Sequence, residues 1–150
     1  MAKWLTAIIA GAMGLALLPA SADSKDPGDV LGSWSFQTKP YRQGQCIMTG
    51  TMRLSSHPEE GLYGCELTAV EVCSMWGRSV VLQQCKARRF GNQVSIRSEI
   101  SQMLEQKTEG LIYVPDNFSL TIQDHSRMWG ALVSAATAPV EFRRSEEGVS

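Results

Sequence analysis

The chain has 150 residues, and its 14 Lys and Arg against 15 Asp and Glu give a formal net charge of −1. That balance, with no dense basic stripe, excludes the electrostatic footprint of a nucleic-acid binder, and the length suits one domain with its own core. The apolar stretch near the start is broken by glycines and falls short of the ~20 residues needed to span a bilayer, so no integral membrane segment is expected.

The chain opens with the three parts of a cleavable secretory signal, read here as residues 1–22. Lys3 supplies the positive start, an apolar run extends from Leu5 to Leu18, and Ala20-Ser21-Ala22 offers small residues for cleavage before Asp23. No cysteine follows the run to take a lipid anchor. The expected product is a soluble monomer in the periplasm or the medium. Residues 23–31 then read as an extended arm: Asp23, Ser24, Lys25, Asp26, Pro27 and Gly28 are polar or turn-forming and lead into Asp29.

From there the pattern is one of short β segments separated by turn residues, which predicts an all-β domain over 32–144. The segments are 32–38, 45–54, 62–73, 79–89, 92–100, 111–114, 117–124, 127–133 and 139–144. In the second, Cys46, Met48, Met52 and Leu54 alternate with Thr49, Thr51 and Arg53, an apolar face against a wet one. His57-Pro58-Glu59-Glu60-Gly61, Trp76-Gly77 and Gly91-Asn92 make the turns, and Asp124-His125-Ser126-Arg127 makes a later one. Between Ser98 and Thr108, the spacing of Ile100, Met103 and Leu104 also fits a short helix. Residues 145–150 read as a frayed tail. The architecture expected is an antiparallel up-and-down β-barrel of about eight strands, lipocalin-like, with a two-sheet sandwich as the alternative.

Four cysteines in an exported chain favour two disulfides over zinc, whose close-spaced ligand pairs are absent. Cys65 and Cys73 share one segment; extended, they stand roughly 26 Å apart, beyond the ~7 Å a disulfide spans. Of the two pairings left, Cys46–Cys73 with Cys65–Cys85 centres its hairpins between Glu59 and Glu60 and at Met75, where the sequence turns. Cys46–Cys65 with Cys73–Cys85 centres them at Ser55/Ser56 and Ser79. The first pairing is favoured, and the second remains open at this stage.

Asp29-Val30-Leu31-Gly32-Ser33-Trp34, then Cys46, Gly61-Leu62-Tyr63 and Cys73-Ser74-Met75-Trp76, form a recognisable series. Over residues 29–76 it resembles the bacterial periplasmic inhibitors of secreted alkaline metalloproteases, small lipocalin-like barrels. The resemblance singles out Asp29, Gly32, Trp34 and Trp76 as motif residues. It implies a Cys46–Cys73 bond, and an arm, here Asp23 to Gly28, that enters the cleft of a secreted metalloprotease. This chain departs from the family in its second cysteine pair and its shorter arm.

No catalytic constellation stands out, so no enzyme, cofactor or metal is expected. His57 and His125 sit in turns, and Asp124-His125-Ser126 is too local to converge as a triad. Lys86, Arg88, Arg89 and the pair Arg143-Arg144 read as solvated strand faces or ends. Met48, Met52, Met75, Met103 and Met128 read as core fillers, and Trp34 and Trp76 as barrel-closing core residues. Two functions fit: a protein-binding module of the inhibitor type, or a barrel holding a small apolar ligand or acting as an envelope interaction module. Intact-mass measurement of the exported protein should place its N-terminus at Asp23 or an adjacent residue; a product that retains Met1-Ala2-Lys3 overturns the signal assignment.

Overall fold

The structure, a computed structural model, describes residues 28–145. The signal sequence, arm residues Asp23 to Pro27 and the tail 146–150 lie outside the described residues.

Eight strands follow one another around a closed antiparallel barrel: β1 Gly32–Thr38, β2 Cys46–Ser56, β3 Leu62–Cys73, β4 Gly77–Phe90, β5 Gln93–Gln106, β6 Asn117–Asp124, β7 Arg127–Val133 and β8 Thr137–Arg144. Each strand pairs with its sequence neighbours, and β8 closes on β1 with Phe142 opposite Phe36. Alternation decides which side chains fill the lumen. Trp34, Phe36, Met48, Met52, Leu67, Ile96, Leu120, Met128, Leu132 and Phe142 are buried, while their strand neighbours face out.

At the centre, Phe36, Phe118 and Phe142 pack with ring centroids 4.9–5.2 Å apart, one pair stacked and two edge-on. Such pairs add about 0.5–1.5 kcal/mol each beyond the area they bury. The Phe36 ring lies where a side chain of Gly50 would go: a Cβ there stands 2.4 Å from Phe36 Cζ and 2.2 Å from the Thr68 carbonyl. Gly50 therefore gives the aromatic cluster its room.

The disulfides join Cys46 to Cys73 and Cys65 to Cys85, residues directly opposite in the β2–β3 and β3–β4 registers, the pairing whose midpoints fall in the turns. Their loops, with sequence separations of 27 and 20, correspond to roughly 3–4 kcal/mol each in the chain-entropy model.

Two sequence expectations fail for one reason, the behaviour of β5. This strand runs on to Gln106, and its pairing with β4 skips Leu104 and Ser101; the bulge at Ser101 leaves Ile100 and Met103, three apart, both half-buried, and Leu104 is exposed. The expected strand 111–114 is irregular, because β6 pairs with β5 only over Gln93–Ile96 and Phe118–Thr121 and leaves it no partner strand. Met75 is exposed and Met103 half-buried, so three of the five methionines considered are core fillers.

One end of the barrel is sealed where the chain enters it. The Trp34 indole donates to the Val30 carbonyl at 2.9 Å, and the Arg144 guanidinium lies over the indole, 4.5 Å from its centroid. Arg144 also donates to the carbonyls of Asp29 (2.6 Å), Leu31 and His125 (2.9 Å). Asp29 turns the entering chain by accepting the Leu31 amide at 2.8 Å. Gly32 has a φ of +112°, and a Cβ there would stand 3.1 Å from Arg144 Nη1. Arg144 is thus a structural clamp rather than a solvated strand end. Arg144→Ala should lower unfolding free energy by about 2–3 kcal/mol, through lost charge-assisted hydrogen bonds and the cation–π contact. Arg144→Lys, which lacks the planar fork, should recover only part of this. Urea titration of both variants checks it, and an unchanged midpoint for Arg144→Ala rejects the clamp.

Candidate functional site

The sequence motif divides between the two ends of the barrel. Asp29, Gly32 and Trp34 meet at the sealed end, where Arg89 Nη1 donates to the Gly28 carbonyl at 2.8 Å and holds the base of the arm. Trp76 lies at the opposite end, the mouth, in the β3–β4 turn. It is half-buried, packs against the edge of the core and stacks under Arg42, whose guanidinium carbon is 5.2 Å from the ring centroid, so it is a core-edge residue at the mouth. His57 and His125 are exposed.

The mouth exists because β5 and β6 separate beyond Ile96. Loop 107–116 straps the opening. Gln106 donates to the Leu111 carbonyl (2.6 Å), Thr108 to the Trp76 carbonyl (3.0 Å), and Ser134 to the Val114 carbonyl (3.1 Å). Beneath the strap is a cavity of about 230 Å³ lined by Tyr41, Arg42, Glu71, Trp76, Tyr113 and Asp116, among others. A larger groove of about 680 Å³ lies among exposed strand residues such as Arg53, Glu66, Gln84 and Lys86, and contains no buried unpartnered polar atom.

The mouth is polar where the rest of the lumen is not. Asp116, 1% exposed, accepts from Gln83 Nε2 and from the Tyr113 hydroxyl, both at 2.7 Å, while its amide donates to Gln83 Oε1 at 2.9 Å. Across the cavity the Tyr41 hydroxyl donates to Glu71. Burial raises both tyrosines well above their ordinary range, and the neighbouring carboxylates add to it. Burial also pushes the Asp116 carboxyl up to about 6; the hydrogen bonds from Tyr113 and Gln83 oppose this, and the Glu71 charge reinforces it.

Several polar atoms here lack partners. Asp116 Oδ1, Trp76 Nε1 and Arg42 Nε are buried, belong to residues lining the cavity, and have no hydrogen-bond partner at bonding geometry. An unpaired buried polar atom costs about 1–3 kcal/mol, so three around one cavity mark a place built for something other than stability. Tyr41, Arg42, Glu71, Gln83, Tyr113 and Asp116 were missed in the sequence. A signal for two of them was present: Glu71 shares the inward parity of Leu67, Ala69 and Cys73, and Gln83 that of Val81 and Cys85.

The raised Asp116 carboxyl has a definite consequence. Between the ordinary aspartate value near 3.9 and about 6, the folded state holds a proton that the unfolded state releases. Stability from this group is therefore greatest below about pH 4 and falls as pH rises to about 6. Asp116→Asn, which removes the titration, should gain about 2–3 kcal/mol relative to the parent between pH 4 and 7. Urea unfolding at both pH values measures the difference, and parallel profiles for the two proteins refute the assignment.

No protein-family model matches this chain, and no curated protein matches it. Among solved structures, it is similar to a de novo designed fluorescence-activating β-barrel, with a TM-score of 0.52 and 16% sequence identity, over 77% of this chain and 93% of the designed one. At that identity the likeness is one of fold: it supports the eight-stranded antiparallel barrel and no particular family.

Proposed function

We propose that the protein is an exported small-molecule-binding barrel whose ligand sits under loop 107–116, and that it binds this ligand without transforming it. The observation that carries the reading is Asp116: a carboxylate 1% exposed, with Oδ1 unpartnered, on the wall of a cavity in a barrel otherwise filled by its own side chains. Because Phe36, Phe118, Phe142 and the buried methionines occupy the apolar lumen, the ligand reading belongs at the polar mouth and not in an apolar interior. The cavity, at about 230 Å³, lies below the roughly 300–1,000 Å³ of drug-sized sites, which favours a small ligand.

A second reading, inhibition of a secreted metalloprotease by the arm, has one structural support. Arg89 and Arg144 hold the carbonyls of Gly28 and Asp29, so any segment before them leaves the barrel from a fixed base. That base lies at the end opposite the cavity, which makes the two readings experimentally separable.

Protein purified from its native source and denatured should release a stoichiometric small molecule, and Trp76→Ala, with unchanged far-UV circular dichroism, should release much less. Release of no small molecule by the parent rejects the ligand reading. Loss of inhibition of secreted zinc metalloproteases on deleting residues 23–27, with ligand release intact, would establish the arm reading instead.

A further inference from the structure

Resting on the ligand reading above, we infer that the mouth cavity takes a small organic cation, with ammonium N–H groups facing Asp116 and a hydrophobic body against the surrounding rings. Asp116 and Glu71 are both lining residues, and among the described residues neither forms an ion pair; hydroxyl and amide donors hold them instead. A buried carboxylate is ordinarily paired with a cation or neutralised. Here the pairing charge is missing, and Asp116 Oδ1 is left without a donor. An ammonium group supplies both the charge and the donor in one contact.

The surrounding walls suit such a ligand. Tyr41, Tyr113 and Trp76 line the cavity, and aromatic faces attract organic cations by about 0.5–2 kcal/mol. Trp76 already holds one cation, the Arg42 guanidinium, which shows that a ring face at this mouth accepts positive charge. A metal ion fits poorly: no three His, Cys, Asp or Glu side chains among the described residues are placed to share one. Ile112 (86% exposed) and Val114 (40% exposed), both lining residues, offer apolar surface to an alkyl or aryl substituent. The orphaned Trp76 Nε1 and Arg42 Nε are donors, suited to a hydroxyl or carbonyl oxygen on the same molecule.

Binding then depends on the charge of Asp116 in its setting. The titratable and charged groups around it are Tyr113 on its own loop, Glu71 on β3, and Tyr41 and Arg42 in the β1–β2 loop. With the carboxyl at about 6 in the free protein, a ligand that stays cationic should bind about tenfold more weakly at pH 5 than at pH 7.5.

The test uses three probes of similar shape, phenethylamine, 2-phenylethanol and phenylacetate, titrated calorimetrically into the full mature protein at pH 7.5. The amine should bind at least about tenfold more tightly than the alcohol, phenylacetate should not bind, and the amine should weaken at pH 5 as above. Asp116→Asn, confirmed folded by its thermal transition, should weaken the amine about tenfold or more and leave the alcohol unchanged. Alcohol or phenylacetate binding as tightly as the amine overturns the inference, as does an amine affinity indifferent to Asp116→Asn. No amine binding at millimolar concentration also overturns it. A neutral or anionic molecule recovered from the native protein would sink the cation while sparing the cavity reading, whereas recovery of nothing sinks both.

Discussion

The whole barrel depends on β8 returning to β1, and that closure is concentrated in Arg144 lying across Trp34. An open eight-stranded sheet would expose two edges and the inner faces of Phe36 and Phe142 together. Pairing of β1 with β8 satisfies the edges, and the Arg144 guanidinium then gathers the carbonyls of Asp29, Leu31 and His125 under one charge. Because those carbonyls belong to the entering chain and the β6–β7 turn, one residue of β8 fastens two separate parts of the sealed end. Sealing one end that firmly leaves the opposite end as the place where the lumen meets solvent.

What was legible follows from alternation. Strands with uniform parity, such as Phe118-Leu120-Ile122 in β6, declare their inward face in the sequence, and closure of eight such strands follows from their number and order. The disulfide register was legible too, because opposed residues in a hairpin share a midpoint that must fall in a turn. Illegible features are those where parity breaks or a charge acts at long range. The bulges at Ser101 and Leu104 shift parity, and the one at Ser101 leaves the half-buried Ile100 and Met103 three apart. The β-rich Leu111-Ile112-Tyr113-Val114 lacks a neighbour to pair with, a fact that depends on where β6 begins. Arg144 sits 115 positions from Asp29, and nothing local distinguishes it from an exposed arginine. The mouth was partly visible, since Glu71 and Gln83 place polar groups on core-facing positions, where an alternating pattern calls for apolar ones.

Energetically the lumen is divided. Its centre is aromatic and aliphatic, where loss of a buried Phe or Met costs several kcal/mol in cavity and transfer terms. Toward the mouth the inward residues become Thr38, Ser79, Gln83 and Asp116, with unpartnered hydroxyls at Ser79 and Ser98 as well as the groups lining the cavity. Thr38 and Gln83 are hydrogen-bonded, but each unpartnered group lowers stability. The disulfides offset such a cost, and their positions are informative. Cys46–Cys73 bonds the mouthward ends of β2 and β3, next to Tyr41, which exchanges backbone hydrogen bonds with Cys46, and to the turn that carries Trp76.

One wall of the cavity is therefore fixed by covalent and backbone bonds, while the strap opposite it is held differently. Among the described residues, loop 107–116 is attached through side-chain hydrogen bonds that involve Gln106, Thr108, Ser134 and Gln83. Side-chain hydrogen bonds exchange with water at a net cost of only about 0.5–1.5 kcal/mol each, far less than peeling a strand from a sheet. Gly110, at a φ of +77°, and Pro115 bracket the segment that covers the cavity, so its backbone path is set by two residues with unusual φ preferences. A rigid wall bearing Tyr41 and Trp76, faced by a strap whose bonds are individually weak, allows a molecule to enter without disturbing the barrel. Tyr113 bonds Asp116 Oδ2 and leaves Oδ1 open, so admission of a donor adds a hydrogen bond at Oδ1 and leaves the strands untouched.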